Sequence, residues 1–365
     1  RYEWRRDLGD AEPMGIASRR WVLREPAGVV AAITPWNFPW QINLAKVVPA
    51  LAAGCTVVLK PAPDTPGCAT ALARIVAERT DIPPGVFNVF TSSDPAIGAR
   101  LTRDPRVDLV SFTGSTATGR KVATDAAENL TKVFLELGGK SAYVALDDAD
   151  PAAVAPMAGI AGCTHAGQGC ALTTRIVVPR SRYDEYADAI AAIMQSVGCG
   201  DPDEESTFCG PVISAVQRDR IEGYMRLATD EGGTFATGGR RPPDRERGFW
   251  IEPTLITGLD NSARVAREEI FGPVLTLIAH DGDEHALEIA NDSPYGLSGA
   301  VHSADHERAW AFAERVRTGT MSVNGGVWYG GDVPFGGYKD SGIGREMGVE
   351  GFEEYLQTKS MAEPA

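Results

Sequence analysis

The sequence predicts an α/β protein of at least two domains, the first built on a doubly wound, Rossmann-like parallel sheet. Three observations carry this. Apolar strand-like runs alternate with helical runs from Val29 to Leu137, the rhythm of strands joined by crossover helices. Several of the strand-like runs end at glycine, as in "SFTG" and "LELGG". Finally, 365 residues with 43% hydrophobic content exceed what one core holds, roughly 250–300 residues.

Taken in order, "RYEWRRDLGDAEP" reads as the end of a helix already under way, and "RRWVLREPAGVV" alternates like a strand or hairpin. "GVVAAITPW" is a continuous apolar strand stopped by Pro35. "WQINLAKVVPALAAG" then places Ile42, Leu44, Ala45, Val48 and Leu51 on a helix closed by Gly54. The pattern repeats through strand "CTVVLK", helix "TPGCATALARIVAERT", strand "GVFNVFTS", helix "PAIGARLTRD", strand "VDLVSFTG", helix "TATGRKVATDAAENL" and strand "KVFLEL". Beyond Gly138 and Gly139 a second α/β domain begins: strand "SAYVAL", an alanine-rich helix from Pro151 to Ala166, strand "TRIVVP" and a helix from Tyr183 to Ser196. The expected division is a dinucleotide domain at 27–138, with 341–353 packing back onto it, and a catalytic domain at 139–340.

Thirty-five basic against 49 acidic residues give a net charge of −14, which repels phosphate backbones and anionic lipid surfaces. The expected partner is a small molecule, with neither nucleic acid nor membrane. The six cysteines are scattered without a C-x-x-C pair, so the expected compartment is a reducing cytoplasm.

Chemistry concentrates in three places. "HAGQGCALTTR" holds Cys170 in a glycine-rich turn. A free thiol ionises near pH 8.5, so a nucleophilic role requires assistance. His165, five residues earlier, offers either a base or a polar residue at a helix end. "TPWNFPW" sets Asn37 just after a strand, where a carboxamide can donate to an oxyanion. "FLELGGKS" sets Glu136 at the end of an apolar strand, as a general base with a raised pKa or as a turn cap.

Together "PWNFP", "FTGSTATG", "LELGGKS", "GQGC", "EEIFGPV", "YGLSG" and "PFGGYKDSGIGRE" resemble, in order and spacing, the aldehyde dehydrogenase superfamily, from about Arg19 to Ser360. The resemblance implies that Cys170 attacks the aldehyde carbon and that the Asn37 side chain and the Cys170 amide hold the alkoxide. It further implies hydride transfer to a nicotinamide and hydrolysis of the resulting thioester by water that Glu136 activates. For the cofactor it implies Gly114 and Ser115 at the pyrophosphate, Trp36 and Lys60 around the adenosine ribose, and Glu269 and Phe271 near the nicotinamide ribose, with Gly138 beside them. A strand pair from 8–26 and 354–365 would form an oligomerisation arm, making a homodimer or homotetramer.

The sequence departs from the family pattern at three points. Pro63 stands where NAD-preferring members often carry a glutamate toward the ribose hydroxyls. NAD remains the expected cofactor, and the missing carboxylate leaves NADP open. Gln357 stands where some members have a proton-relaying glutamate. Upstream of the asparagine motif the family has on the order of a hundred residues, against 36 here.

Tunnel-facing positions by resemblance are Phe38, Gln41, Ile42, Ala45, Gly169, Ala171, Tyr329 and Phe335, apolar and small groups suited to an uncharged aliphatic or aromatic aldehyde. Arg175, at a strand start, is expected in a structural ion pair. His302 and His306 share helical spacing without a third metal ligand, so no metal is expected. The rival readings are a thiol hydrolase using Cys170 with His165 and an inactive structural homologue.

Overall fold

The structure is a computed structural model describing residues 2–365. The chain divides into two compact units: one comprises residues up to Glu136 with Gly330–Phe335 and Gly344–Ala365, the other Leu137–Tyr329 with Gly336–Ile343.

The first unit opens on β1 (Arg5–Ala11) and β2 (Ser18–Pro26), which pair antiparallel with a bulge between Asp7 and Gly9. The initial segment is therefore a strand, not the helix end its composition suggests. Gly9, at φ 72°, takes the left-handed turn of the bulge, and cross-strand pairing overrides local helix preference. Next come β3 (Val29–Ile33), α1 (Pro39–Ala52), β4 (Thr56–Lys60), α2 (Pro66–Arg79), β5 (Phe87–Val89), α3 (Pro95–Thr102), β6 (Leu109–Thr113), α4 (Thr116–Ala127) and β7 (Lys132–Glu136). These five parallel strands lie in the order β7-β6-β3-β4-β5. The chain runs outward from β3 to β5, then restarts at β6 on the other side of β3, so the order reverses there. At such a switch point the carboxyl ends of the strands open a crevice for ligands.

The second unit contains β8 (Ser141–Ala145), α5 (Pro151–Cys163), β9 (Thr173–Pro179), α6 (Tyr183–Val197), α7 (Ala215–Asp230), β10 (Thr234–Thr237), β11 (Thr254–Thr257), α8 (Arg264–Arg267), β12 (Val274–His280), α9 (Asp283–Asn291), β13 (Tyr295–Gly296), β14 (Ser298–His302), α10 (His306–Ala313), β15 (Thr320–Val323), β16 (Tyr338–Lys339) and β17 (Gly342–Ile343). Its seven-stranded sheet has the order β10-β11-β12-β9-β8-β14-β15, parallel except for β10. Alternate residues bury on opposite faces. Tyr143, Ile176 and Leu277 pack with α5, α6 and α7, whereas Val144, Val177 and Ile278 pack with α9 and α10.

Two expectations are corrected in this unit. The helix read to Ala166 ends at Cys163, because His165 and Ala166 adopt left-handed φ of 54° and 52°. His302 and His306 share no helix: His302 lies in β14, and His306 is the first residue of α10. Among the described residues no group of three His, Cys, Asp or Glu side chains could hold a metal ion, and no helix is long and apolar enough to cross a membrane.

The chain returns to the first unit through α11 (Gly348–Glu353) and β18 (Leu356–Pro364). β18 pairs antiparallel with β2 from Leu356–Pro26 to Pro364–Ser18, giving a three-stranded sheet in the order β1-β2-β18. Tyr355 and Leu356 enter the core formed by Val30, Val57, Leu59, Leu109 and Phe134.

Candidate active site

Within the first unit, six of the singled-out residues meet at the carboxyl edge of one sheet. Trp36 and Asn37 follow β3, Lys60 ends β4, Gly114 and Ser115 follow β6, and Glu136 ends β7. Local chemistry fixes this edge. The Gly114 amide donates to the Glu136 carbonyl at 3.0 Å, and a Cβ on Gly114 would come within 2.5 Å of the Phe112 ring, so a larger residue there would have to push that ring aside. Ser115 caps α4, its hydroxyl accepting from the Thr118 amide.

Glu136 is the most unusual group there. Its side chain is buried, 2% exposed, and neither carboxylate oxygen has a hydrogen-bond partner among the described residues. Burial pushes its pKa well above the ordinary carboxyl value, and the charge of Glu346 adds to the rise, while Lys46 and Arg345 oppose it. Lys46, wholly buried in α1, bonds Glu346 at 3.0 Å and the Ser111 hydroxyl at 3.1 Å, with its ammonium over the Phe134 ring. Glu346 is held by a reciprocal backbone bridge to Phe335, 2.6 Å each way. Sequence reasoning missed Lys46 and Glu346. The available signal was a lone lysine inside the apolar helix face "INLAKVVPA", since an unpaired buried charge needs a partner. Gln357 is exposed on β18, and the carboxylate that acts on Glu136 is Glu346.

Beside this edge, Ile33, Lys60, Gly98, Phe112, Lys121 and Asp125 help line a cavity of about 300 Å³ between α3 and α4. The Lys60 ammonium is buried, bonds the Pro61 carbonyl, and has its pKa lowered by burial, so it gains from an added oxygen acceptor. A desolvated ammonium and a helix N-terminus beside a largely apolar cavity at a switch point suit a dinucleotide.

In the second unit the structure gathers Gly138, Gly139, Cys170, Glu269 and Phe271. The Gly139 amide donates to the Glu269 carboxylate at 3.0 Å, and the Gly138 carbonyl accepts from the Ser341 hydroxyl at 2.7 Å. A Cβ on Gly138 would meet Glu269 Oε2 at 2.5 Å, and one on Gly139 would meet the Cys170 carbonyl at 2.4 Å. Burial raises the Glu269 pKa, against the opposing Gly139 hydrogen bond. Phe271 is held at φ 63° by Gln217, which donates to its carbonyl at 2.7 Å. Ser341, wholly buried inside "KDSGIG", was not singled out from sequence, although it clamps the glycine pair.

Cys170 is half-buried in a turn set by three successive left-handed residues, His165, Ala166 and Gly167. Gly167 packs so tightly on Gly272 that a Cβ would lie 1.9 Å from its carbonyl oxygen. Gln168 locks the turn, donating to the His165 carbonyl at 3.1 Å and accepting from the Ile213 amide at 2.9 Å. His165 contributes an exposed side chain and a buttressing carbonyl.

The tunnel candidates divide between the units. Phe38 sits at the N-cap before α1, and Gln41, Ile42 and Ala45 lie in its first turns, where Gln41 is exposed and Ile42 buried. Phe335 belongs to the same unit. Tyr329 is exposed in the other. Arg175 is structural, but not through a direct carboxylate pair: its guanidinium donates to the carbonyls of Lys140, Ile289 and Ala290 and to the Asn261 amide oxygen.

A nucleotide-type sheet edge in one unit and a rigidly presented thiol in the other are the equipment of an oxidoreductase with a covalent intermediate. A model of the aldehyde dehydrogenase family matches residues 2–361, and the chain belongs to that family. Its reaction is accordingly oxidation of an aldehyde with a nicotinamide cofactor. Geranial dehydrogenase of Castellaniella defragrans is 46% identical over 354 residues, covering 96% of this chain and 73% of that protein. The 3-succinoylsemialdehyde-pyridine dehydrogenase of a Pseudomonas species is 44% identical, covering 98% and 74%. Among solved structures, a Mycobacterium tuberculosis aldehyde dehydrogenase complexed with NAD+ superposes with a TM-score of 0.94 at 45% identity, covering 98% of this chain and 72% of that one. A Pseudomonas syringae aldehyde dehydrogenase mutant with NAD+ and octanal gives 0.93 at 42%, covering 99% and 72%.

Proposed function

We propose that the chain oxidises an uncharged aliphatic or aromatic aldehyde to its carboxylic acid, with Cys170 as nucleophile, Asn37 as oxyanion donor and Glu136 as the base for hydrolysis. The observation that carries this reading is Glu136 itself: a buried carboxyl group, both oxygens unpartnered among the described residues, has its pKa raised toward the range in which a general base exchanges protons, and it costs stability when ionised.

The Cys170 sulfur adds to the carbonyl carbon, and the alkoxide accepts hydrogen bonds from the Asn37 carboxamide and the Cys170 amide. Bound NAD(P)+ supplies a hydride acceptor for the aldehyde carbon. The acyl group then remains on Cys170 as a thioester. Glu136 takes a proton from water, the resulting hydroxide attacks the acyl carbon, and the C–S bond breaks to release the acid and the thiolate. The buried Lys46–Glu346 pair sets the local charge at Glu136, with Glu346 favouring its protonated form and Lys46 its ionised one.

For the cofactor, Ser115 and the α4 N-terminus would receive the pyrophosphate, with Trp36 and Lys60 at the ribose and Glu269 and Phe271 at the nicotinamide end. NAD is the preferred form and NADP is accepted, because Pro63 supplies no carboxylate to repel a 2′-phosphate. The NAD+ complexes of the mycobacterial and Pseudomonas syringae proteins support that preference, and the octanal bound to the latter and the geranial in the name of the Castellaniella protein support an uncharged substrate. The exposed edges of β1 and β18 favour strand pairing between copies in a homodimer or homotetramer, and six thiols favour the cytoplasm.

The test is an aldehyde panel of octanal, geranial, benzaldehyde and succinic semialdehyde, with NAD+ and NADP+ in parallel, read by absorbance of the reduced nicotinamide. Turnover of the uncharged aldehydes that disappears in Cys170→Ala is expected. Undiminished turnover in that variant removes the assigned nucleophile, and preference for the semialdehyde removes the substrate class.

A further inference from the structure

The second unit carries another group of thiols, which the aldehyde chemistry does not use. Cys199 follows the end of α6, and Cys209 lies ten residues on in the turn-rich segment before α7. The two strands of this turn are tied at the cysteines, where the Gly200 amide donates to the Cys209 carbonyl at 3.0 Å. The two thiols are near enough to act on each other's ionisation, and the Cys199 sulfur lies 3.2 Å from the Ile251 carbonyl, to which it donates.

Their environments differ in the way a dithiol pair requires. Cys209 is wholly buried. Cys199 is half-buried and lines a polar cavity of about 540 Å³ together with Gln195, Arg240, Asp244 and Glu252. Arg245 donates to the Cys199 carbonyl at 3.3 Å and brings a positive charge near the sulfur. The neighbouring Cys209 thiol lowers the Cys199 pKa, against burial and the charges of Glu252 and Asp244, and the same interaction together with burial raises that of Cys209. Cys163, buried at the end of α5, is pushed up to about 12 by burial. One member of the group thus borders a cavity, with a second, wholly buried thiol beside it.

We propose that Cys199 and Cys209 form an oxidisable dithiol, in which Cys199 meets a hydroperoxide entering the polar cavity and Cys209 resolves the product into a disulfide. The Cys199 thiolate attacks one peroxide oxygen, the O–O bond breaks, and the departing oxygen takes a proton to leave as water or alcohol. The sulfur is now a sulfenic acid. The Cys209 sulfur, giving up its proton, attacks the Cys199 sulfur, the S–O bond breaks and water leaves. Overall the two thiols lose two electrons and two protons, and the hydroperoxide is reduced by the same amount.

The experiment uses the full chain carrying Cys170→Ala, so that the proposed catalytic thiol does not compete. The folded protein is treated with hydrogen peroxide, alkylated with iodoacetamide and digested with trypsin. Both cysteines fall in the single tryptic peptide Tyr183–Arg218. That peptide is expected unalkylated and lighter by two hydrogens than its dithiol form, and cleavage after Glu204 or Glu205 is expected to leave two fragments joined until a reductant is added. Cys209→Ser should leave Cys199 as a sulfenic acid trapped by dimedone, whereas Cys163→Ser should leave the disulfide intact. Full alkylation of both cysteines after peroxide, or a bond from Cys199 to Cys163 instead, overturns the proposal.

Discussion

Gly139 and Cys170 are in backbone contact: a methyl group on Gly139 would sit 2.4 Å from the Cys170 carbonyl oxygen. The obstacle is main chain, which cannot rotate aside. Gly139→Ala should therefore displace the cysteine turn, lowering kcat by at least about tenfold and stability by about 1–3 kcal/mol. Gly138→Ala faces the movable end of the Glu269 side chain, 2.5 Å away, and should cost less stability while raising the KM for NAD+. Steady-state kinetics and thermal melts on both variants check this. A Gly139→Ala enzyme with wild-type kcat contradicts it.

Glu136→Gln should separate the two halves of the reaction. The reduced nicotinamide should appear in a rapid burst, followed by steady-state turnover slower by about 10²–10⁴-fold as the thioester waits for its base. Rapid-mixing absorbance measurements decide, and equal steady-state rates in wild type and variant count against the assigned role.

The same substitution should stabilise the protein, with a defined pH dependence. The folded-state pKa of Glu136 lies above its ordinary value of 4.5, so the folded chain binds the proton more tightly than the unfolded chain. Its carboxylate therefore leaves stability untouched below the unfolded pKa, and lowers it progressively as pH rises through the folded one. Glu136→Gln should match wild type near pH 4 and exceed it by about 1–3 kcal/mol at alkaline pH. Denaturant melts across this range provide the measurement.

Lys46 and Glu346 form a buried pair, and removing either leaves the other charge without its counterion. Lys46→Met and Glu346→Gln should each cost about 3–5 kcal/mol, and the double variant less than the sum. A double-mutant cycle in urea checks this, with additive losses as the contrary result.

Pro63→Glu should return a carboxylate to the ribose end of the cofactor. The ratio of kcat/KM for NAD+ over NADP+ is expected to rise by about tenfold or more, equivalent to roughly 1.4 kcal/mol. An unchanged ratio removes Pro63 from the selectivity argument.

Much of this was legible in the chain. The repeated switch between strand and helix periods announces parallel sheets, because each apolar strand must be covered by helices on both faces. Cys170, Asn37 and Glu136 drew notice as a thiol, a carboxamide and a carboxylate at turns or strand ends, each with a plain structural alternative, and it was the family motifs around them that joined them into one set. What stayed hidden depends on distant parts of the chain. Lys46 shows in sequence only as a lysine within an apolar helix face, its partner Glu346 being 300 positions away, and Ser341 reads as a loop serine until the Gly138 carbonyl arrives. The left-handed run at His165 and Ala166 could not be read from residue types that normally avoid it, because Gln168 and the contact of Gly167 with Gly272 impose it.

The interrupted course of the first unit sets a schedule for its maturation. Lys46 and the acid that neutralises it are 300 positions apart, and the Cys55 thiol waits for Tyr355 across the same interval. At ribosomal speeds of about 5–20 residues per second, roughly 15–60 s pass between emergence of the base and arrival of its counterpart. For that time the nascent nucleotide layer carries an uncovered ammonium in a region destined to be dry, and chaperones have a natural window in which to hold it.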